Sequence, residues 1–185
     1  MYPDAHHILK PLDQIAARGH PFSRVFADWL TMSCCAFTGG KQEELYLETL
    51  RPYLDNRRSG DRNADLFSSA LGGWLYAMKE ADRRGEFRDY LGHIFQDRVT
   101  KGEKGQFFTP EHLCTLMAEI TGPIEPGARV NDPACGSGRT LMAAASKQRH
   151  AKFCGSDLDM NCVRMTHHCE IVETGNESWR FKNRA

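Results

Sequence analysis

The stretch that most restricts the fold is NDPACGSGRT, residues 131–140, which sets an acid, a proline and two glycines between a short apolar segment and a predicted helix. In an open α/β sheet, the loop after the first strand lies at the carboxyl edge, where backbone N–H groups and a helix N-terminus face a ligand. Gly136 and Gly138 allow the backbone to approach that ligand closely. The stretch therefore predicts the ligand-binding turn of a parallel sheet.

The elements around this turn support a parallel sheet. A strand, the glycine turn and a helix are predicted over residues 128–149, a second strand over 151–156 and a second helix over 160–173. Trp179 and Phe181 alternate with polar neighbours, which is typical of the start of a third strand. The order βαβα is the opening of a doubly wound α/β sheet.

The chain before residue 100 follows a different, helical rhythm. Apolar residues recur at helical spacing, and breaks at residues 18–21, 39–40 and 56–63 leave about five helices. The aromatic residues on these helices are predicted to form a core rather than a surface that stacks nucleic-acid bases. We expect an α-helical module over residues 1–100 and a second domain over residues 101–185.

A helix is also predicted between the polar linker that ends near residue 105 and the glycine turn. Thr109 is predicted as its N-cap and Pro110 as its first residue, with Gly122 closing it. Its large apolar residues share one face: Leu113, Leu116, Met117 and Ile120.

The ligand of the turn follows from the acids around it. Asp157, at the end of the second strand, is placed to accept hydrogen bonds from ribose hydroxyls. Asp132 would repel a pyrophosphate but attracts the ammonium group of an amino acid. A dinucleotide fingerprint requires Gly or Ala where Leu141 stands, and no Gly-Lys-Ser/Thr loop follows. A ligand with a ribose and a cationic amino acid is S-adenosylmethionine.

Three motifs in order, GQFFTP at 105–110, DPACGSGR at 132–139 and GSDLD at 155–159, resemble the N-6 adenine DNA methyltransferases. The likeness is strongest to the modification subunit of type I restriction systems and its relatives on mobile elements. It implies that a partial Rossmann-like, S-adenosylmethionine-dependent methyltransferase domain follows the helical module, with DNA as a partner. The cofactor-binding residues that it implies are Phe107, Phe108, Thr109, Pro110, Asp132, Ala134, Gly136, Gly138, Asp157 and Leu158.

The chain departs from the resembled family in two places. Arg139 stands where the family more often has a small residue. The family's Asn/Asp-Pro-Pro-Tyr/Phe tetrapeptide, which aligns the flipped adenine, is missing because no Pro-Pro dipeptide occurs before the chain ends at Ala185. We therefore assign no catalytic residue. Two functions stay open: the cofactor-binding part of an adenine methyltransferase that is not catalytic alone, and a noncatalytic, methyltransferase-like regulatory or DNA- or partner-binding protein.

Charge and composition restrict the partners. The chain carries 24 basic and 24 acidic residues, so any contact with DNA must be local. Arg57, Arg58 and Arg62 form the most basic loop, either a phosphate contact or a solvated turn. A sheet of two or three strands leaves an open edge, so we expect the rest of a longer methyltransferase, a second copy or a partner subunit to complete it.

The expected compartment is the cytoplasm. No signal peptide or membrane-spanning run is predicted, and the seven cysteines contain no C-x-x-C pair, as in chains with reduced thiols. Cys162, His167, His168 and Cys169 lie close in sequence, but a helix turns the two histidines apart, and we predict no metal site.

Overall fold

The structure is a computed structural model that describes residues 2–100 and 108–166. The chain divides into two compact units, Met1–Lys104 and Gly105–Ala185. Helices make up the first unit, and the second contains a two-stranded parallel sheet. The later part of the helix predicted over 160–173 and the third strand predicted at Trp179 and Phe181 lie outside the described residues.

The first unit contains the five α-helices that the apolar spacing predicts, and no strand occurs within residues 2–100. Residues Phe95–Thr100 continue the fifth helix as a π-helix. No helix in the described ranges combines the length and apolar composition needed to cross a membrane. The helices are α1 (His6–Ala16), α2 (Phe22–Ala36), α3 (Glu43–Leu50), α4 (Asn63–Arg83) and α5 (Tyr90–Ile94).

The core of the first unit is aromatic. Phe26 and Trp29 lie one helical turn apart on α2, with ring centroids 5.8 Å apart. Burial of these rings confirms their prediction as core residues, since a buried ring presents no face for a base to stack on. The aromatic residues in this core are Phe26, Trp29, Tyr53, Phe67, Trp74, Tyr90 and Phe95.

Helices α1 and α4 approach each other closely at one glycine. A Cβ atom on Gly73 would lie 2.4 Å from the backbone oxygen of His7, well inside van der Waals contact. The neighbouring Gly72 has open space at the same position. The helix pair therefore depends on Gly73, although glycine is a poor helix former.

The second unit is built around a β–α–β segment. Strand β1 (Arg129–Asp132) pairs in parallel with β2 (Lys152–Gly155), and α7 (Arg139–Lys147) connects them. The predicted strand, glycine turn, helix and second strand are thereby confirmed to within a few residues. Residues 160–166 are helical as predicted. Side chains from the turn, α7 and β2 form the local core: Cys135, Leu141, Ala144, Ala145, Ala151 and Phe153.

Helix α6 (Glu111–Ile120) differs from its prediction at the start. Pro110, rather than Thr109, is the N-cap, with an extended ψ of 142°. The Pro110 carbonyl accepts the first helical bonds, from the amides of Leu113 and Cys114. The prediction of Thr109 as N-cap was therefore wrong by one residue, because proline here closes the loop instead of beginning the helix. Gly122 ends the helix with a φ of +79°, as predicted.

The apolar face of α6 is not its buried face. Small residues, Cys114 and Ala118, are buried, whereas the four large apolar residues on the predicted face are 42–75% exposed. Periodicity identified the apolar face correctly but does not state what covers it. The exposed residues are Leu113, Leu116, Met117 and Ile120.

The close crossing of α1 and α4 gives a prediction with a matched control. Gly73→Ala is expected to lower the free energy of unfolding by about 1–3 kcal/mol, because the added methyl group overlaps the backbone of α1. Gly72→Ala is expected to raise it by about 0.5–1 kcal/mol, because alanine favours the helix and meets no atom. Urea unfolding followed by circular dichroism measures both. Shifts of the same sign would refute the role given to Gly73.

Candidate functional site

The site lies at the carboxyl ends of β1 and β2. Asp132 on β1 is aligned with Gly155 on β2, and the ladder continues past both strands. The Ser156 amide donates to the backbone oxygen of Asp132 at 3.0 Å, and the Cys135 amide donates to the backbone oxygen of Ser156 at 3.0 Å. Because parallel strands end at the same edge, this pairing brings the glycine turn and the Asp157 loop together.

Asp132 holds both sides of the glycine turn. Its Oδ1 accepts a hydrogen bond from the Ala134 amide at 3.0 Å. Its Oδ2 accepts one from the hydroxyl of Thr140, in the first turn of α7. The carboxylate thus joins the end of β1 to the start of the following helix.

Asp157 joins the end of β2 to the same turn. Its Oδ2 accepts from the Gly136 amide at 2.9 Å, and its Oδ1 accepts from the Asp159 amide at 2.9 Å. A carboxylate has about four acceptor sites, so each oxygen retains the capacity for a further donor. Asp157 is half-buried, within reach of a ligand.

The two glycines have conformations that other residues rarely adopt. Gly136 has a φ of +53°, and Gly138, the N-cap of α7, has a φ of +88°. A Cβ on Gly136 would lie 2.9 Å from the ring of Phe108. The glycines were predicted to allow a close approach of the backbone to a ligand. In the structure, the ring of Phe108 also lies against the turn at Gly136.

Arg139 connects the turn to the segment before α6. Its Nη1 donates to the Thr109 backbone oxygen at 3.0 Å, and its guanidinium carbon lies 5.7 Å from the centre of the Phe108 ring. The residue is 5% exposed. Its position explains the polar side chain at a place where the resembled family more often has a small residue.

These residues line one open cleft of about 360 Å³. Six of the ten residues predicted from the sequence are in its wall: Phe108, Thr109, Asp132, Ala134, Gly136 and Asp157. Six others in the wall were not predicted as site residues: Met117, Cys135, Ser137, Arg139, Thr140 and Cys162. Ser137, Arg139 and Thr140 directly follow or interrupt the glycine motif, which is the signal that would have identified them.

Four predicted residues are not in the described wall. Gly138 is buried behind it at the start of α7, and Pro110 is exposed at the start of α6. Leu158 is fully exposed rather than part of the core. Phe107 lies outside the described residues. The cofactor contacts of all ten residues stay predictions.

The basic loop of the first unit carries its own counter-charges. Arg62 makes two hydrogen bonds to Asp65, at 2.8 and 2.9 Å, and the pKa of Asp65 is lowered to about 2, chiefly by this bond. Arg57 lies within 3.9 Å of Asp61. These pairs favour the solvated-turn interpretation over a phosphate contact. Of the residues weighed as metal ligands, only Cys162 is described.

A match to one family model agrees with the motifs. The sequence model of the family named N-6 DNA Methylase matches residues 80–171. A comparison with curated proteins gives no match. Among solved structures, the type I restriction-modification system methyltransferase subunit from Streptococcus thermophilus is similar, with 13% identity and a TM-score of 0.41. The match covers 92% of this chain and 55% of that one, so the chain spans about half the subunit's length.

Close packing at the end of β2 gives a prediction for the site's framework. A Cβ on Gly155 would lie 2.8 Å from Cγ2 of Thr166 and 3.0 Å from Cys135, so Gly155→Ala is expected to cost about 1–3 kcal/mol of stability. Thr166→Ser removes the clashing methyl group and keeps the hydroxyl that donates to the Gly136 oxygen. In urea unfolding, the double variant Gly155→Ala/Thr166→Ser should therefore lose less free energy of unfolding than the sum of the losses of the two single variants. Strictly additive losses would contradict the contact.

Proposed function

The chain belongs to the N-6 DNA methylase family, and from that premise we propose that its second unit binds S-adenosylmethionine as the cofactor-binding part of an N-6 adenine DNA methyltransferase. One observation carries the proposal. Two carboxylates, Asp132 and Asp157, stand at the ends of adjacent parallel strands beside a turn with two left-handed glycines. We further propose that the parallel β–α–β segment is part of a Rossmann-like sheet, since ligands of such sheets bind at this edge.

The chemistry of the cleft fits the groups of the cofactor. Asp157 is proposed to accept hydrogen bonds from the ribose hydroxyls, using the acceptor sites that its two backbone bonds leave open. Asp132 is proposed to attract the ammonium group of the methionine end. The polypeptide at Ala134, Gly136 and Gly138 is proposed to follow the cofactor closely, because none of these three residues carries a side chain larger than a methyl group.

The remaining predicted residues are proposed to border the cofactor's two ends. Phe108, Thr109 and Pro110, with Phe107 before them, belong to the methionine end, where the first two line the cleft. Leu158 follows Asp157 directly and is proposed to cover the adenine. A fully exposed leucine loses unfavourable contact with water when a flat aromatic ligand covers it.

S-adenosylmethionine, when bound, supplies a methyl group on a positively charged sulfur, already activated for transfer. The described residues of this chain bind and orient that group, and orientation is a large part of such catalysis. Residues 1–185 contain no Pro-Pro dipeptide, so the family's target-base tetrapeptide is not among them. We propose that residues outside this range supply that site, in the same polypeptide, in a second copy or in a partner subunit.

Two surfaces support such a partner. Among the described residues, β1 pairs with β2 alone, and a strand at the edge of a sheet can pair with a further strand. On α6, in the same unit as the sheet, the four exposed residues Leu113, Leu116, Met117 and Ile120 form an apolar stripe. DNA is the proposed substrate on the strength of the family's name.

A second function is compatible with a cleft that has no Asn/Asp-Pro-Pro-Tyr/Phe tetrapeptide among residues 1–185. A chain that keeps the cofactor cleft without a target-base site can act as a regulatory or binding protein, because the fold alone does not determine activity. In that case cofactor binding would change the affinity for DNA or a protein partner, and no methyl group would move. Both functions require the cleft to bind S-adenosylmethionine.

Calorimetric titration of S-adenosylmethionine tests the cleft. The wild-type chain is expected to bind, and Asp157→Ala is expected to weaken binding by about tenfold to a hundredfold, because hydrogen bonds to a charged acceptor are lost. Asp159→Asn is the matched control, since Asp159 lies outside the cleft wall and asparagine can still accept the Asn161 amide. Circular dichroism should show all three chains folded. No binding by the folded wild-type chain would refute the proposed function.

A methyl-transfer assay tests where the target site lies. The purified chain is expected to leave unmethylated DNA unmodified, because it carries no target-base motif. Incorporation of tritium from methyl-labelled S-adenosylmethionine measures transfer, with Asp157→Ala as the background. Incorporation above that background would show that this chain holds the adenine itself.

A further inference from the structure

The charges in the cleft wall are unequally distributed. Two carboxylates, Asp132 and Asp157, face one cation, Arg139, among the described residues that line the cleft. Asp132 accepts a hydrogen bond from Thr140, the residue next to Arg139. Asp157 is bonded instead to the Gly136 amide on the glycine turn. Asp132 and Arg139 therefore both line the cleft near the start of α7, and the cleft wall presents both signs of charge.

The guanidinium of Arg139 is held in place rather than free to move. It donates to the Thr109 oxygen at 3.0 Å and lies over the Phe108 ring at 5.7 Å. Holding an arginine this way reduces the side-chain entropy that a ligand would otherwise have to remove. Only 5% of Arg139 is exposed, and the planar fork geometry of its guanidinium is suited to a planar anion, of which a carboxylate is the common one.

The backbone favours an anion at the same place. Arg139 is the first residue of α7, where the helix dipole and the first N–H groups create positive potential. The helix dipole disfavours a cation at this end of a helix, and the attraction of an anionic ligand group to both would offset that unfavourable interaction. The guanidinium and the helix N-terminus thus select for the same sign of charge.

We propose that Arg139 receives the carboxylate of the cofactor's amino-acid end, while Asp132 receives its ammonium group. This inference rests on the proposed function and deepens it, because it names a residue that selects for the amino-acid end of the ligand. The amino-acid end of S-adenosylmethionine carries both charges on one carbon, and the cleft wall contains a residue of opposite charge for each, Arg139 for the carboxylate and Asp132 for the ammonium group. Arg139 is then a specificity-determining residue: a nucleoside thioether without the amino acid gains nothing from it.

The test compares two ligands by calorimetry on the full chain and its variants. S-adenosylmethionine carries the amino-acid end, and 5′-methylthioadenosine lacks it. Arg139→Met keeps an unbranched apolar side chain and removes the charged guanidinium, and Arg139→Lys keeps the charge and removes the fork. Arg149→Met, at an exposed arginine outside the cleft wall, is the matched control.

In the expected result, Arg139→Met weakens S-adenosylmethionine binding by about tenfold to a hundredfold and changes methylthioadenosine binding less than twofold. Arg139→Lys should lose less of the discrimination, and Arg149→Met none. If Arg139→Met does not fold, Arg139→Lys alone decides, since it too should weaken the first ligand selectively.

Three outcomes would overturn the inference. Equal weakening of both ligands would make Arg139 a support for the cleft wall, and unchanged binding of both would place the carboxylate elsewhere. In both cases, the proposed function still holds if the wild-type chain binds S-adenosylmethionine and Asp157→Ala weakens that binding. No binding of either ligand by the folded wild-type chain would refute the inference together with the proposed function.

Discussion

The hydrogen bond from the Gly136 amide to Asp157 joins the two halves of the site. Parallel pairing of β1 with β2 brings the strand ends to one edge, but the loops after them still have to be fixed against each other. Asp157 does this with one carboxylate, and Asp132 does the same between β1 and α7. Because the two acids support the backbone and face the cleft, the same groups determine both the local fold and what the cleft attracts.

Local sequence was sufficient for much of this. Glycines at 136 and 138 were predicted from the need for close backbone approach, and both have left-handed conformations. Helical spacing before residue 100 predicted the five helices and their aromatic core. The strands and the intervening helix form where the change of rhythm indicated, because each has a turn signal at its boundary. The glycine conformations, the helices and the strand boundaries are determined largely by residues that are neighbours in sequence.

Features that depend on tertiary contacts were not predictable in the same way. The cleft wall includes Arg139 and Thr140 because of partners that lie 30 and 8 residues away, and no spacing rule predicts such contacts. The exposed face of α6 likewise depends on what surrounds the helix rather than on its periodicity. Thr109 was misassigned because a proline with extended ψ serves as N-cap as well as it serves as first helical residue.

We propose that the carboxyl edge of the two-stranded sheet binds S-adenosylmethionine. Titration of a ¹⁵N-labelled chain with the cofactor, followed by amide NMR spectra, reports such binding residue by residue. We expect the largest shift changes at Gly136, Gly138 and Asp157, with Gly72 in α4 unchanged. Spectra that do not change, or changes confined to helices α1–α5, would contradict it.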